Sequence, residues 1–157
     1  TDDTSVQVSL TEIRPDGMEV RVQSGWHRPQ HRVEDPTRSD DLRVDYTFTP
    51  EDRSPLVPGE PIHFRVPFMP LAHVFRAGSR LRVAVSTPGR DTPLWCFENP
   101  TVDGVSHGVH LGGERASSLV LPVWGDELLT DEHAEYPPAD ALRGQPARPA
   151  QPIRNAN

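Results

Sequence analysis

The sequence predicts an all-β chain, a jelly-roll β-sandwich. Three observations carry that expectation. Apolar and polar residues alternate with period two along much of the chain. No window of roughly 11 residues or more holds a helical period. The composition is rich in turn formers, with 18 Pro and 11 Gly among 157 residues and only 34% hydrophobic, which suits many short strands better than helices.

The elements follow in order. Val6, Val8 and Leu10 alternate with Gln7 and Ser9. Pro15-Asp16-Gly17 is a tight turn, because Pro presets φ and Gly accepts the positive φ that closes it. Met18, Val20 and Val22 then alternate with Glu19, Arg21 and Gln23, so the two segments read as a hairpin. Gly25-Trp26-His27-Arg28 follows, placing an indole, an imidazole and a guanidinium at one strand end. Residues 32–41 are a polar loop. Leu42, Val44, Tyr46 and Phe48 resume the alternation; after the Pro58-Gly59 turn, so do Ile62, Phe64 and Val66. Residues 71–80 read as one helical or irregular turn ending at Gly78. Leu81, Val83 and Val85 are expected to face the core, with Arg80, Arg82, Ala84 and Ser86 outward. A long loop spans 88–106, alternation is weak around Val109 and Leu111, and Ser117–Trp124 closes the set. Roughly seven strands result, near the number of a sandwich or jelly roll. The sandwich module is expected over residues 1–125. Residues 126–157, rich in Pro and poor in large apolar side chains, read as a tail, extended or disordered.

Charge narrows the partners. The formal net charge is −7, whereas a nucleic-acid backbone needs a basic patch; no nucleic-acid partner is expected. No apolar run approaches the ~20 residues of a membrane span. The single Cys96 excludes a disulfide framework within one chain. All 16 basic residues are Arg, planar bidentate donors for carboxylates.

One motif looks catalytic. Gly104-Val105-Ser106-His107-Gly108 matches G-x-S-x-G, and Asp126 and His133 follow in the order Ser, Asp, His. In a nucleophile elbow the Ser sits between a buried strand and a helix, and His takes its proton while Asp orients the imidazole. Here "ENPTVD" precedes and a strand is expected to follow, so Ser106 reads as a decoy on a surface loop, and no catalytic residue is assigned to this chain. His107 and His110 lack the spacing and acidic partners of a zinc site. Asp2-Asp3 and Asp40-Asp41 lack the calcium-loop pattern. No metal and no cofactor are expected. What remains is loop chemistry: Trp26, His27 and Arg28, with Trp95 and Phe97, are interface or cleft-lining candidates, being residue types enriched at interface cores. The plainer reading, that Trp26 and Trp95 close the ends of the sandwich core, stands equally open.

Taken together, "VQVSLTEIRPDGMEVRVQSGWHRPQHR", "LVPGEPIHFRVPFMPLAHVFRAGSRLRVAVSTPGRDTPLW" and "ASSLVLPVW" resemble the C-terminal jelly-roll module of X-prolyl dipeptidyl peptidases and cocaine-esterase-like hydrolases (the CocE/NonD type). The matching positions include Leu10, Thr11, Pro15, Asp16, Gly17, Gly25 and Arg28. They continue with Pro58-Gly59-Glu60, Phe75, Gly78, Arg80-Leu81-Arg82, Ser118, Leu119 and Leu121-Pro122-Val123. The resemblance covers roughly residues 1–125. It implies a galactose-binding-like jelly roll that is itself non-catalytic. The parent would be a serine hydrolase of esters, amides or X-Pro peptides, with its triad in an α/β-hydrolase domain on the same or a separate chain. The module would pack on that domain, help wall its cleft or hold a homo-oligomer. In that family, strands precede the stretch equivalent to residues 1–10. Their absence here implies a sandwich incomplete at its N-terminal edge, completed by a longer polypeptide or another chain. Two other functions stay open: a stand-alone carbohydrate-binding sandwich with aromatic loops at Trp26 and Trp95, and a hydrolase using Ser106.

Overall fold

The computed structural model describes residues 2–89, 105–125, 136 and 146–152. Among them one antiparallel sheet organises the chain. Its strands are β1 (Val6–Ile13), β2 (Met18–His27), β3 (Arg80–Ser86) and β4 (Arg148–Pro149), in the order β3-β1-β2-β4. Among the described residues, helix is limited to two single 3₁₀ turns, Pro29–His31 and Gly113–Arg115. The class is all-β, as the alternation predicts.

The β1–β2 hairpin closes as its turn chemistry dictates. Gly17 adopts φ +82°, Arg14 N–H donates to Met18 O at 2.8 Å, and Asp16 Oδ1 accepts from Met18 N–H at 2.8 Å. The ladder is not uniform. Leu10 pairs with Gln23 but Thr11 pairs with Arg21, leaving Val22 as an extra residue on β2, a β-bulge. Because strand side chains alternate with period two, one extra residue exchanges the faces of everything beyond it. Gln7, Ser9 and Thr11 thus share one face with Ser24 and Trp26, while Val6, Val8 and Leu10 share the other with Gly25 and His27.

The apolar face is covered over β2 by the chain between residues 62 and 70. A Cβ on Gly25 would sit 2.2 Å from Pro67 O, so that backbone passes where only a glycine fits. Gln23 Nε2 donates to Met69 O at 3.2 Å. Leu10, Val20 and Val22 form the centre of the core.

Two expectations change. Residues 42–48, 62–66 and 117–124 run without ladders among the described residues. Residues 42–48 keep one isolated bridge, Glu34 to Tyr46. Phe48 at φ +51° leaves the pleat, and Pro61, Pro67 and Pro122 supply no N–H for a ladder. Side chains anchor these segments instead: Tyr46 Oη donates to Arg65 O and accepts from Arg65 N–H at 3.1 Å. Second, Leu81, Val83 and Val85 are 42%, 42% and 47% exposed. Among the described residues β3 is an edge strand, and the covering layer lies over β2 and β1. Within the expected tail, residues 146–152 run extended along β2, with Met18 paired to Pro149 and Glu19 to Arg148.

Candidate functional site

The bulge decides what the end of β2 presents. Without it, the alternation set by Val20 and Val22 would turn Trp26 toward the core and His27 away. With it, His27 is the inward residue. Its side chain is only 6% exposed, and its ring stacks on Tyr46 at 3.9 Å with Phe48 and Phe64 nearby. Burial is the main cause that pushes His27 down to about 4, with the His31 charge second. His27 is therefore a neutral core ring at ordinary pH. Trp26 lies on the polar face, half-buried, its indole N–H donating to Gln7 Oε1 at 2.9 Å. Arg28 carries its guanidinium to Asp3, with Nε 3.0 and 2.8 Å from the two carboxylate oxygens. That hydrogen bonding holds Asp3 below the usual carboxylate range.

From Trp26 a ladder of polar side chains runs down the same face. Gln7 Nε2 donates to Ser9 Oγ at 2.9 Å, Ser9 and Ser24 hydroxyls meet at 3.0 Å, and Arg21 Nε donates to Ser24 Oγ at 3.1 Å. Further along, Thr11 donates to Glu19 Oε1 at 2.7 Å and Arg82 to Glu19 Oε2 at 3.0 Å. Gln7 and Ser24 are buried and satisfied, as buried polar groups must be.

A second constellation sits on the opposite face, and sequence reasoning missed it. Glu12, fully buried, accepts from His73 Nε2 at 2.9 Å and from Ser79 Oγ at 2.5 Å. Ser79 meets the Tyr136 hydroxyl at 2.7 Å, and the guanidiniums of Arg14 and Arg76 lie 4.9 and 5.1 Å from the Tyr136 ring centre. Serine, histidine and carboxylate are all present, but in the wrong order for acyl transfer. A hydrolytic triad needs the imidazole between hydroxyl and carboxylate, so that it can take the hydroxyl proton. Here the carboxylate is in the middle and holds both partners. The arrangement ties β1 to the 73–79 turn and to Tyr136. The one sequence signal was Glu12 itself, a carboxylate continuing the apolar stripe of Val6, Val8 and Leu10.

Ser106 lies on an exposed loop, followed by His107, whose Nε2 is 3.3 Å from Thr4 Oγ1. No helix follows it directly; the next helical turn is Gly113–Arg115. Gly104, Asp126 and His133 lie outside the described residues, as do Trp95, Cys96 and Phe97. Trp26 on β2 and Arg28, just past its end, thus diverge: one joins the polar face, the other reaches back to Asp3. Among the described residues no group of three or more His, Cys, Asp or Glu could hold a metal ion, and no helix is long and apolar enough to cross a membrane.

Comparison with known proteins gives one match. The family model of the X-Pro dipeptidyl-peptidase C-terminal non-catalytic domain matches residues 1–120. No curated protein and no solved structure matches. The matched range takes in β1, β2, β3 and the Glu12, His73 and Ser79 cluster, whereas Tyr136 and β4 lie beyond it. Spanning most of the chain, the match shows that this chain belongs to the X-Pro dipeptidyl-peptidase C-terminal non-catalytic domain family, the accessory module of a peptidase or related hydrolase.

Proposed function

We propose that this chain is the non-catalytic module of a serine hydrolase whose α/β-hydrolase domain, on the same or a separate chain, cleaves esters, amides or X-Pro peptides. The module packs on that domain and shapes its cleft. The observation that carries the reading is the family match over residues 1–120. The order of groups at Glu12 agrees with it, since a serine whose proton is held by a carboxylate has no imidazole base.

Trp26 and Arg28 are the described residues through which the module meets the hydrolase, with Trp95 and Phe97 as the cleft-lining pair. Trp26 combines a half-buried ring with a fixed indole N–H, and Arg28 keeps a side chain 51% exposed beside its carboxylate partner. Rigid aromatic and Arg groups of this kind are what interface centres favour. His27, stacked in the core, takes no part. The test is made in the enzyme that carries the module, with an X-Pro anilide and an aryl ester as substrates. Trp26→Ala is expected to raise KM several-fold or to loosen the module from the catalytic domain. Unchanged KM, kcat and assembly for Trp26→Ala, Arg28→Ala, Trp95→Ala and Phe97→Ala would remove the cleft role.

A further inference from the structure

We propose that the module carries a binding site for a neutral para-hydroxyphenyl group, formed by Arg14, Arg76, Ser79 and Glu12, and that Tyr136 is the group that fills it. Two turns packed back to back build the site. The hairpin turn begins at Arg14, whose N–H donates to Met18 O at 2.8 Å. The second turn is closed by Ser79 N–H donating to Arg76 O at 3.0 Å, with Gly78 at φ +83°. A Cβ on Gly78 would sit 3.2 Å from Pro15 Cγ, so the turns touch, and Arg14, Arg76 and Ser79 come together. Each residue of the site also has a contact apart from Tyr136 that fixes it. Glu12 is held by His73 Nε2 at 2.9 Å, and Arg76 Nη1 donates to Val74 O at 3.3 Å. The site is thus organised in advance of its occupant, which lowers the cost of binding. Its four residues all fall in the matched range 1–120, whereas Tyr136 lies beyond it.

The chemistry of the site selects what it binds. Ser79 has one hydroxyl hydrogen and donates it to Glu12 Oε1. Toward the Tyr136 hydroxyl, 2.7 Å away, Ser79 can therefore only accept. The group that reaches Ser79 must be a donor. Arg14 and Arg76 lie over the ring, 4.9 and 5.1 Å from its centre, where the π face attracts a guanidinium. An anion is the wrong occupant in spite of these two cations. An unprotonated oxygen at the phenol position would meet the lone pairs of Ser79 with the Glu12 carboxylate behind them. A neutral phenol satisfies both ends, offering a donor to Ser79 and a π face to the guanidiniums. Tyr136 is tethered to the site by the chain, so it stands at high effective concentration against any external phenol. The site is a property of the module, and the tail supplies its ligand.

The test empties the site in the full 157-residue chain with Tyr136→Ala, checks the fold by circular dichroism, and titrates 4-methylphenol by calorimetry. A Kd on the order of 1 mM is expected for a molecule of this size, with at least about tenfold weaker binding to the wild type, whose site is filled. 4-Methylanisole keeps the ring without the donor, and 4-methylbenzoate is an anion; each is expected to bind about tenfold more weakly than 4-methylphenol. Adding Ser79→Ala is expected to abolish the preference for 4-methylphenol over 4-methylanisole. Adding Arg76→Gln is expected to weaken both several-fold. A second measurement needs no emptied site and decides the matter should Tyr136→Ala fail to fold. Tyr136→Phe is expected to lower the urea midpoint of the chain, and to leave it unchanged in a Ser79→Ala background. Failure of folded Tyr136→Ala to bind 4-methylphenol, equal binding by the wild type, or equal or tighter binding of the anisole or the benzoate would each overturn the proposal. So would the same midpoint shift from Tyr136→Phe in both backgrounds.

Discussion

His27 occupies its place because of Val22. The extra residue at the bulge turns an imidazole into an aromatic pocket and frees Trp26 to bond Gln7. This has a consequence for acid stability. His27 in the folded chain is held at about 4 by burial, below the 6.5 of the unfolded chain. Between those values the unfolded state binds a proton that the native state refuses, so stability is complete above pH 6.5 and falls as pH drops toward 4. The full effect of such a shift is on the order of 3 kcal/mol. His27→Phe keeps a ring against Tyr46 without the titration. Urea unfolding at pH 7, 5.5 and 4.5 is expected to show a loss in the wild type that His27→Phe lacks; equal slopes in both would contradict the assignment. Below that window Asp3, held low by Arg28, and Glu34, held low by Arg65, lose their contributions as they protonate. The inward turn of His27 was not legible in the sequence, because a one-residue slip leaves no compositional mark. The Pro15–Gly17 turn was legible, because its residue types admit few other conformations.

At the level of elements, the sheet is stapled by charges as much as by apolar contact. Arg82 on β3 reaches across β1 to Glu19 on β2, joining three strands with one ion pair. Glu19 is 4% exposed. Removing one partner of a buried pair leaves an uncompensated charge, at a cost of about 3 kcal/mol. Arg82→Met is expected to destabilise by that order in chemical denaturation, and Glu19→Gln in the same chain to recover much of it. Additive losses in the double variant would show that the pair is not coupled. β3 itself was legible from its alternation; the direction of its apolar side chains was not, since alternation says which residues share a face and not whether that face is covered. The segments at 42–48 and 62–66 misled for a related reason. Their alternation is real, and Tyr46, Phe64 and Val66 do pack inward, but Phe48 and the prolines deny them a ladder.

Over the whole molecule, the chain's chemistry is that of a support. Ser79 donates its hydroxyl hydrogen bond to Glu12, and Ser106 lies on an exposed loop, so neither of these two serines stands in a hydroxyl–imidazole–carboxylate line. A fluorophosphonate probe is therefore expected to leave this chain unlabelled, and stoichiometric labelling of Ser79 or Ser106 would reverse the reading of the module as non-catalytic. The family was legible because its signature sits in turns and strand ends, where Pro15, Gly17, Gly25 and Gly78 meet local backbone demands. The Glu12 cluster was not, because its partners at 73, 79 and 136 are distant in sequence and only the folded chain brings them together.

The order of strands also sets an order of events. β1 lies between β2, its immediate successor, and β3, which begins only at Arg80. The hairpin can form as soon as it is made, but one side of β1 must wait for the rest of the covering layer and then β3 to be translated. At about 5–20 residues per second that wait lasts several seconds, during which a central strand is briefly an edge. A nascent chain stalled before Arg80 would present β1 to chaperones or to other nascent copies, and β3, the last of the three strands to arrive, is the one that ends that exposure.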